Sequence, residues 1–217
     1  MKVVRIDEVE PIAVVGGELQ WRPLRRALGI GAFGINAYTA NRGELVVEEH
    51  DETGDGAGHH EELYVVVTGH ATFTVDGNEI DAPIGTCVFL GDPEERRGAR
   101  ATEDGTTVLA IGGARGEPFQ VSPWEFAFAG IPAQQAKRYD EAKALLLEGL
   151  ERYPGNLGLV YDLACVEALS GDRDAALDHL EQAFADARMR EHARDDSDLD
   201  SLRTDPRFSA ALESRRE

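Results

Sequence analysis

Across residues 34–111, short runs of Val, Ile, Thr, Phe and Tyr are broken by Gly, Asp, Asn or Pro about every eight to twelve residues. Punctuation that frequent leaves no room for long helices but suits strands of ordinary length. It predicts a sandwich or barrel of antiparallel strands over residues 34–39, 44–50, 62–67, 71–75, 78–81, 86–90 and 106–111. Asp76-Gly77 is expected to close a hairpin, because both residues tolerate the positive φ of a type I′ turn. Trp21-Arg22-Pro23-Leu24-Arg25-Arg26 reads as an arm covering an edge of the β-structure.

The pattern changes between Trp124 and Pro132. Beyond it, apolar residues recur at helical spacing, in runs stopped by Tyr153-Pro154-Gly155-Asn156 and by Ser170-Gly171. Helices are expected from Tyr139, over residues 157–169 and over residues 174–188, with short loops that make them antiparallel neighbours. The chain is therefore α+β, with a β domain at 1–125 and a helical domain at 126–217. The helices repeat: Ala142, Leu146 and Gly149 return 34 residues later as Ala176, Leu180 and Ala183, and Gly130 returns as Ala164. That step, with small residues where helices cross, resembles the tetratricopeptide repeat (TPR). Fewer than three units rarely stand alone, so this tail is expected to lean on the β domain, on a second subunit or on a protein partner.

Composition removes several function classes. The formal net charge is −19. Phosphate backbones and anionic lipid surfaces attract basic stripes, so neither nucleic acid nor a membrane is an expected partner. No apolar run reaches the roughly 18 residues of a membrane helix. Charges in Met1-Lys2-Val3-Val4-Arg5-Ile6-Asp7-Glu8 occupy the place of a signal-peptide core, so a cytoplasmic protein is expected. Cys87 and Cys165 each lie in an apolar stretch and are expected to be buried free thiols.

Chemistry concentrates in Gly58-His59-His60-Glu61-Glu62-Leu63-Tyr64, which leads into a β-prone run ending at Gly69. Imidazoles and carboxylates on a rigid strand are the materials of a metal or ligand site. Residues 34–111 resemble the cupin superfamily, a small jelly-roll barrel. Glu62 and Gly69 fit the end of the first cupin motif, Gly85 opens the second, and Gly91-Asp92-Pro93 falls on its turn in altered order. The resemblance implies a cupin-type β-barrel followed by a small TPR-like helical domain, with dimerisation through sheet edges.

The resemblance also implies a metal centre of three histidines and a glutamate, and here the sequence departs from it. The His-x-His positions are Gly56 and Gly58, the second-motif His is Arg96, and the Asn is Arg100. Of the ligands, Glu62 alone stands in place.

Two readings follow. In one, the site is relocated. Residues two apart on a strand share a face, so Glu62, His60 and Tyr64 point inward together and His50 reaches them from the preceding strand. His50, His60 and Glu62 would then hold a divalent Fe, Mn, Ni, Cu or Zn ion. Glu62 and Tyr64 (with Glu61 as an alternative to Tyr64) would act as acid or base, and the chemistry would be oxidation, isomerisation or lyase chemistry on a small metabolite. In the other, the site is degenerate and binds a small molecule. Arg96 lines it and selects an anion through bidentate bonds, or pairs internally with Glu62. Tyr38 and His59 are candidate ligand contacts, and Arg97 and Arg100 are read as solvated loop charges. A homodimer is expected in either case.

Overall fold

The computed structural model describes residues 1–54 and 57–213. The chain divides into two compact units, Met1–Val121 and Ser122–Glu217.

The described residues of the first unit form ten strands, β1 (Ile12–Val14), β2 (Leu19–Arg22), β3 (Gly34–Ala40), β4 (Leu45–His50), β5 (Glu61–Thr68), β6 (His70–Val75), β7 (Asn78–Pro83), β8 (Cys87–Leu90), β9 (Arg97–Ala101) and β10 (Thr106–Gly113). They form two antiparallel sheets, one ordered β1-β2-β3-β10-β5-β8 and the other β4-β9-β6-β7. From β3 to β10 the chain crosses repeatedly between the sheets. Among the described residues no ladder joins them, so the expected closed barrel is corrected to an open two-sheet sandwich. Its edges, β1 and β8 in one sheet and β4 and β7 in the other, remain unpaired.

The core follows from the strand period of two. Tyr64, Val66, Val88, Leu90 and Val108 of the larger sheet meet Val46, Phe73, Ala82, Ala99 and Ala101 of the smaller, and all ten are buried. Asp76 and Gly77 take φ of 47° and 79°, the paired positive values of the expected hairpin turn. The Trp21 region is not an arm. Its residues form β2, which extends the larger sheet beside β3, and helix α1 (Leu24–Leu28). Leu24 and Val9 pack on the outer face of that sheet against Ala37. Strand β9 lacked a sequence signal, because Arg97-Gly98-Ala99-Arg100-Ala101 has no β-branched or aromatic residue. Pairing with both β4 and β6 makes it a central strand nonetheless.

The second unit is helical: α2 (Pro123–Gln135), α3 (Tyr139–Arg152), α4 (Leu157–Ser170), α5 (Arg173–Ala183), α6 (Ala187–His192) and α7 (Pro206–Glu213). Consecutive helices pack in sequence order from α2 to α5. The residues of the 34-residue step are buried in both copies, with Ala142, Ala164, Ala176, Leu180 and Ala183 excluded from solvent. A Cβ at Gly149 would lie 2.9 Å from Leu159 and 3.0 Å from Phe126, so only glycine fits that crossing. The residues where the sequence pattern changes, Trp124–Pro132, belong to α2. The expected single helix over 174–188 breaks at Phe184 and restarts at Ala187, capped by the Asp186 side chain. Cys165 is buried, whereas Cys87 is exposed on the outward side of β8, where its neighbours Val88 and Leu90 take the inward positions.

Candidate functional site

Glu62 is the centre of the site. On β5 it pairs in register with Gly112 of β10 and Leu90 of β8. It shares the inward face with Tyr64 because the two are separated by one residue. The Tyr64 hydroxyl donates to Glu62 Oε2 at 2.5 Å. The same oxygen accepts from Arg97 Nη2 at 2.7 Å and Nε at 3.2 Å, and Arg97 Nη1 donates to the Glu95 carbonyl at 2.8 Å. Arg97 has no solvent exposure. Burial alone would push the Glu62 carboxyl up, but His50, the Tyr64 hydroxyl and the Arg97 guanidinium outweigh it and hold Glu62 at about 2. Glu62, with 12% of its side chain exposed, is thus a carboxylate held in its ionised form. Burial and the Glu62 charge push Tyr64 far up, so it is a neutral donor.

His50 arrives from the other sheet. The β4–β9 register shifts twice, between Leu45 and Val47 and between Val47 and His50, and brings His50 opposite Arg97. Such bulges re-aim side chains, and here they end β4 with its imidazole over Glu62. His50 Nδ1 lies 2.7 Å from the Glu48 carbonyl oxygen. A carbonyl can only accept, so Nδ1 holds the hydrogen and Nε2 is the free position of the neutral ring. Nε2 faces Glu62 Oε2 and Glu52 Oε1, each at 3.7 Å. A lone pair facing two carboxylates at that distance is a repulsive arrangement until a proton or a cation enters it. Burial disfavours the imidazolium, but the Glu62 carboxylate and the Glu48 carbonyl overcome this and raise His50 above its ordinary value.

Glu52 was absent from the sequence-derived set. It is buried just after β4, where its amide donates to the Pro93 carbonyl and its Oε2 accepts from Gly58 N at 2.9 Å. His50, Glu52 and Glu62 offer ligand atoms all within 4.8 Å of one another. The available signal was its place two residues beyond His50 at a strand end.

His60 is buried and lies beside this group, with Nδ1 3.9 Å from Glu52 Oε2 and its ring 5.5 Å from that of Phe119. Its imidazole also explains Gly58: a Cβ there would come within 2.3 Å of His60 Cε1 and Nε2. The His60 ring thus fills the space a side chain at position 58 would need. Gly56 lies outside the described residues.

Other expected site residues are elsewhere. Arg96 does not line the interior; it is exposed, and its Nε donates to Glu49 at 2.6 Å. Arg97, read as a solvated charge, is the inward guanidinium. Parity on β9 decides this, because Ala99 and Ala101 face the core and Arg97 shares their side. His59 is exposed with φ of 50°, and Glu61 pairs with Arg115 at 2.8 Å on the outward side. Tyr38 is partly buried against the inter-sheet core. Tyr64 is buried, and its hydroxyl is engaged by Glu62.

Imidazole and carboxylate donors suit divalent ions of the Mn, Fe and Zn kind. His50, Glu52 and Glu62 fit such an ion: Nε2 is turned to the carboxylates by a backbone bond on Nδ1, the usual outer support of a histidine ligand. Arg97 and Tyr64 hold Glu62 through Oε2, the same oxygen that faces His50 Nε2.

No family model and no curated protein matches the chain. Solved structures similar to part of it include a predicted oxalate decarboxylase from Thermotoga maritima, 18% identical, covering 51% of this chain and 97% of that one with a TM-score of 0.42. KdgF from Halomonas sp. is 17% identical over 49% of this chain and 88% of its own, with a TM-score of 0.40. A sugar phosphate isomerase from a cupin superfamily, from Silicibacter pomeroyi, is 18% identical over 51% and 74%, with a TM-score of 0.42. These likenesses extend to about half of the chain and decide nothing about its chemistry.

Proposed function

We propose that the protein is a cupin-type small-molecule-binding protein with a relocated metal site formed by His50, Glu52 and Glu62. One observation supports this above the others: His50 Nε2, free of hydrogen in the neutral ring, lies 3.7 Å from both Glu52 Oε1, which is buried, and Glu62 Oε2, which is partly buried. In this reading Glu52 replaces His60 as the third ligand, and His60 braces Glu52. Bound there, a divalent ion would supply Lewis acidity. The chain's own residues would orient it. Arg97 and Tyr64 keep Glu62 charged and in place, the Glu48 carbonyl fixes the His50 tautomer, and Gly58 makes room for His60.

Metal analysis of protein purified without a His tag tests this, together with titration by Mn²⁺, Fe²⁺ and Zn²⁺ and the Glu52→Gln and His50→Ala variants. Near-stoichiometric metal lost in both variants is the expected result. Wild-type protein that takes up none of the three ions would sink the metal site.

The metalloenzyme reading uses the same residues. What favours it is a preorganised charged carboxylate, Glu62, facing an imidazole raised above its ordinary value. The homodimer belongs to the same proposal: Phe89 is 59% exposed on the outer side of edge strand β8, and Ile84 is 64% exposed just before it. The helical unit, with its TPR-like burial pattern, is the part proposed to take a protein partner.

A further inference from the structure

An open sandwich leaves edge strands whose free backbone groups can pair with another strand. Proteins blunt such edges with charge, proline, register shifts or brevity. Among the described residues, three of the four edges carry one of these devices. Strand β7 places Glu79, Asp81 and Pro83 along its edge. Strand β4 has exposed Glu48 and Glu49 and two register shifts against β9. Strand β1 is only three residues long. Strand β8, Cys87-Val88-Phe89-Leu90, has no charge, no proline and no shift in its pairing with β5. From Ala82 to Gly91 no residue is charged at all.

Parity sets what that edge offers. Val66 N donates to the Thr86 carbonyl at 3.0 Å, and Val88 and Leu90 follow opposite Tyr64 and Glu62. Hydrogen-bonded residues alternate along an antiparallel ladder. Thr86, Val88 and Leu90 therefore turn their backbone groups to β5, and Cys87 and Phe89 turn theirs to the open edge. Cys87 and Phe89 are also the residues with exposed side chains, whereas Val88 and Leu90 are buried. Ile84, just before the strand, adds another exposed apolar side chain. One short segment thus offers free donors, free acceptors and apolar contact. It does so in a chain whose net charge of −19 sets most other surfaces against a second copy.

We infer that β8 pairs antiparallel with β8 of a second copy of this chain, about a two-fold axis between the two Val88 residues, joining the larger sheets of both copies into one. This rests on the homodimer reading above and names its interface and register. Directly opposite residues must share a face, which leaves registers centred on Cys87, Val88 or Phe89. Only the Val88 register engages both free residues of both strands. In it the Cys87 amide donates to the carbonyl of the partner's Phe89, the Cys87 carbonyl accepts from the same residue, and the two-fold repeats the exchange. A foreign strand is not required, because the segment is its own complement: donors meet acceptors and no charge has to be matched. The strand is four residues long, so the contact is small and the dimer reversible. The register also fixes distances. Phe89 and the partner's Cys87 stand opposite, with Cα atoms about 5.5 Å apart, inside the range of about 4.4–6.8 Å that a disulfide spans. Cys87 and the partner's Cys87 are offset along the strands and lie on the order of 8 Å apart, too far for a disulfide.

The test uses the full chain as wild type, Cys87→Ser, Phe89→Cys and Phe89→Cys combined with Cys87→Ser. Both positions are exposed, so the fold should tolerate the changes, and Tm checks this. Sedimentation velocity under reducing conditions, from low to high micromolar protein, reads association. Non-reducing electrophoresis then reads the register after treatment with diamide, which takes two electrons and two protons from a thiol pair to leave a disulfide, or with a short bismaleimide that bridges separated thiols. Wild type is expected to dimerise reversibly, to resist diamide and to be cross-linked by the bismaleimide, and Cys87→Ser to lose that cross-link. Diamide should convert Phe89→Cys to a covalent dimer and leave the combined variant unlinked. Cys165 is buried and common to all four proteins. Diamide cross-linking of wild type would set Cys87 directly against its counterpart, and cross-linking of the combined variant would do the same for position 89; either overturns the register. A wild-type dimer that neither reagent cross-links, in wild type or in Phe89→Cys, overturns the β8 interface and leaves a homodimer formed elsewhere. Monomers at every concentration would remove the homodimer itself, and this inference with it.

Discussion

Replacing Glu62 by Gln keeps the side chain's shape and removes its charge. Arg97, without solvent exposure, would then have a neutral amide where its carboxylate was. Removing one partner of a buried ion pair costs about 3–5 kcal/mol. Linkage gives a second figure. Glu62 is held at about 2 against an ordinary 4.5; at about 1.4 kcal/mol per unit, its ionisation contributes about 3 kcal/mol near neutral pH. Because the folded-state value is the lower one, the contribution is complete above about pH 4.5 and drains away as pH falls toward 2. The chain has two tryptophans, and Trp21 lies in the β-sandwich unit. Urea unfolding followed by Trp21 fluorescence in a Trp124→Phe background therefore reports that unit alone. The midpoint of Glu62→Gln should fall by about 1–2 M urea at neutral pH. Its deficit relative to wild type should close as the solution is acidified. A deficit under about 0.5 kcal/mol, or one that persists unchanged through acidification, would refute the account of Glu62 as a clamped, ionised carboxylate.

Gly58→Ala should drive the His60 ring out of its place, since the new Cβ would meet it at 2.3 Å. A stability loss of about 1–3 kcal/mol and a Mn²⁺ affinity reduced about tenfold or more are expected by calorimetry; wild-type values of both would show that the ring has room to move. Phe89→Lys places a charge on the exposed outer side of edge strand β8 and should convert a dimer to monomers by light scattering. A wild-type chain that is already monomeric would remove the dimer from the proposal.

Much of the site was legible because strand parity is a local property. Glu62 and Tyr64 had to share a face, and His60 belonged beside them. What failed was parity on a strand that the sequence hid. With β9 unseen, Arg96 was placed inside and Arg97 in solvent, although Ala99 and Ala101 already marked the inward side. Glu52 failed for another reason. It lies in a loop, where no period applies, and its side chain is aimed by long-range bonds to Gly58 N and the Pro93 carbonyl. The same holds for His50, whose direction depends on two register shifts against β9.

The sequence by itself determined the class of each half of the chain, because turn spacing and helical period follow from local backbone preference. It also determined that Glu62 and Tyr64 would share one face of a strand. Only the tertiary structure decided which guanidinium is buried, that Glu52 lies beside His50 and Glu62, and that the sandwich stays open. Those outcomes depend on which strands become neighbours across a sheet or between sheets, a long-range choice that no local pattern encodes.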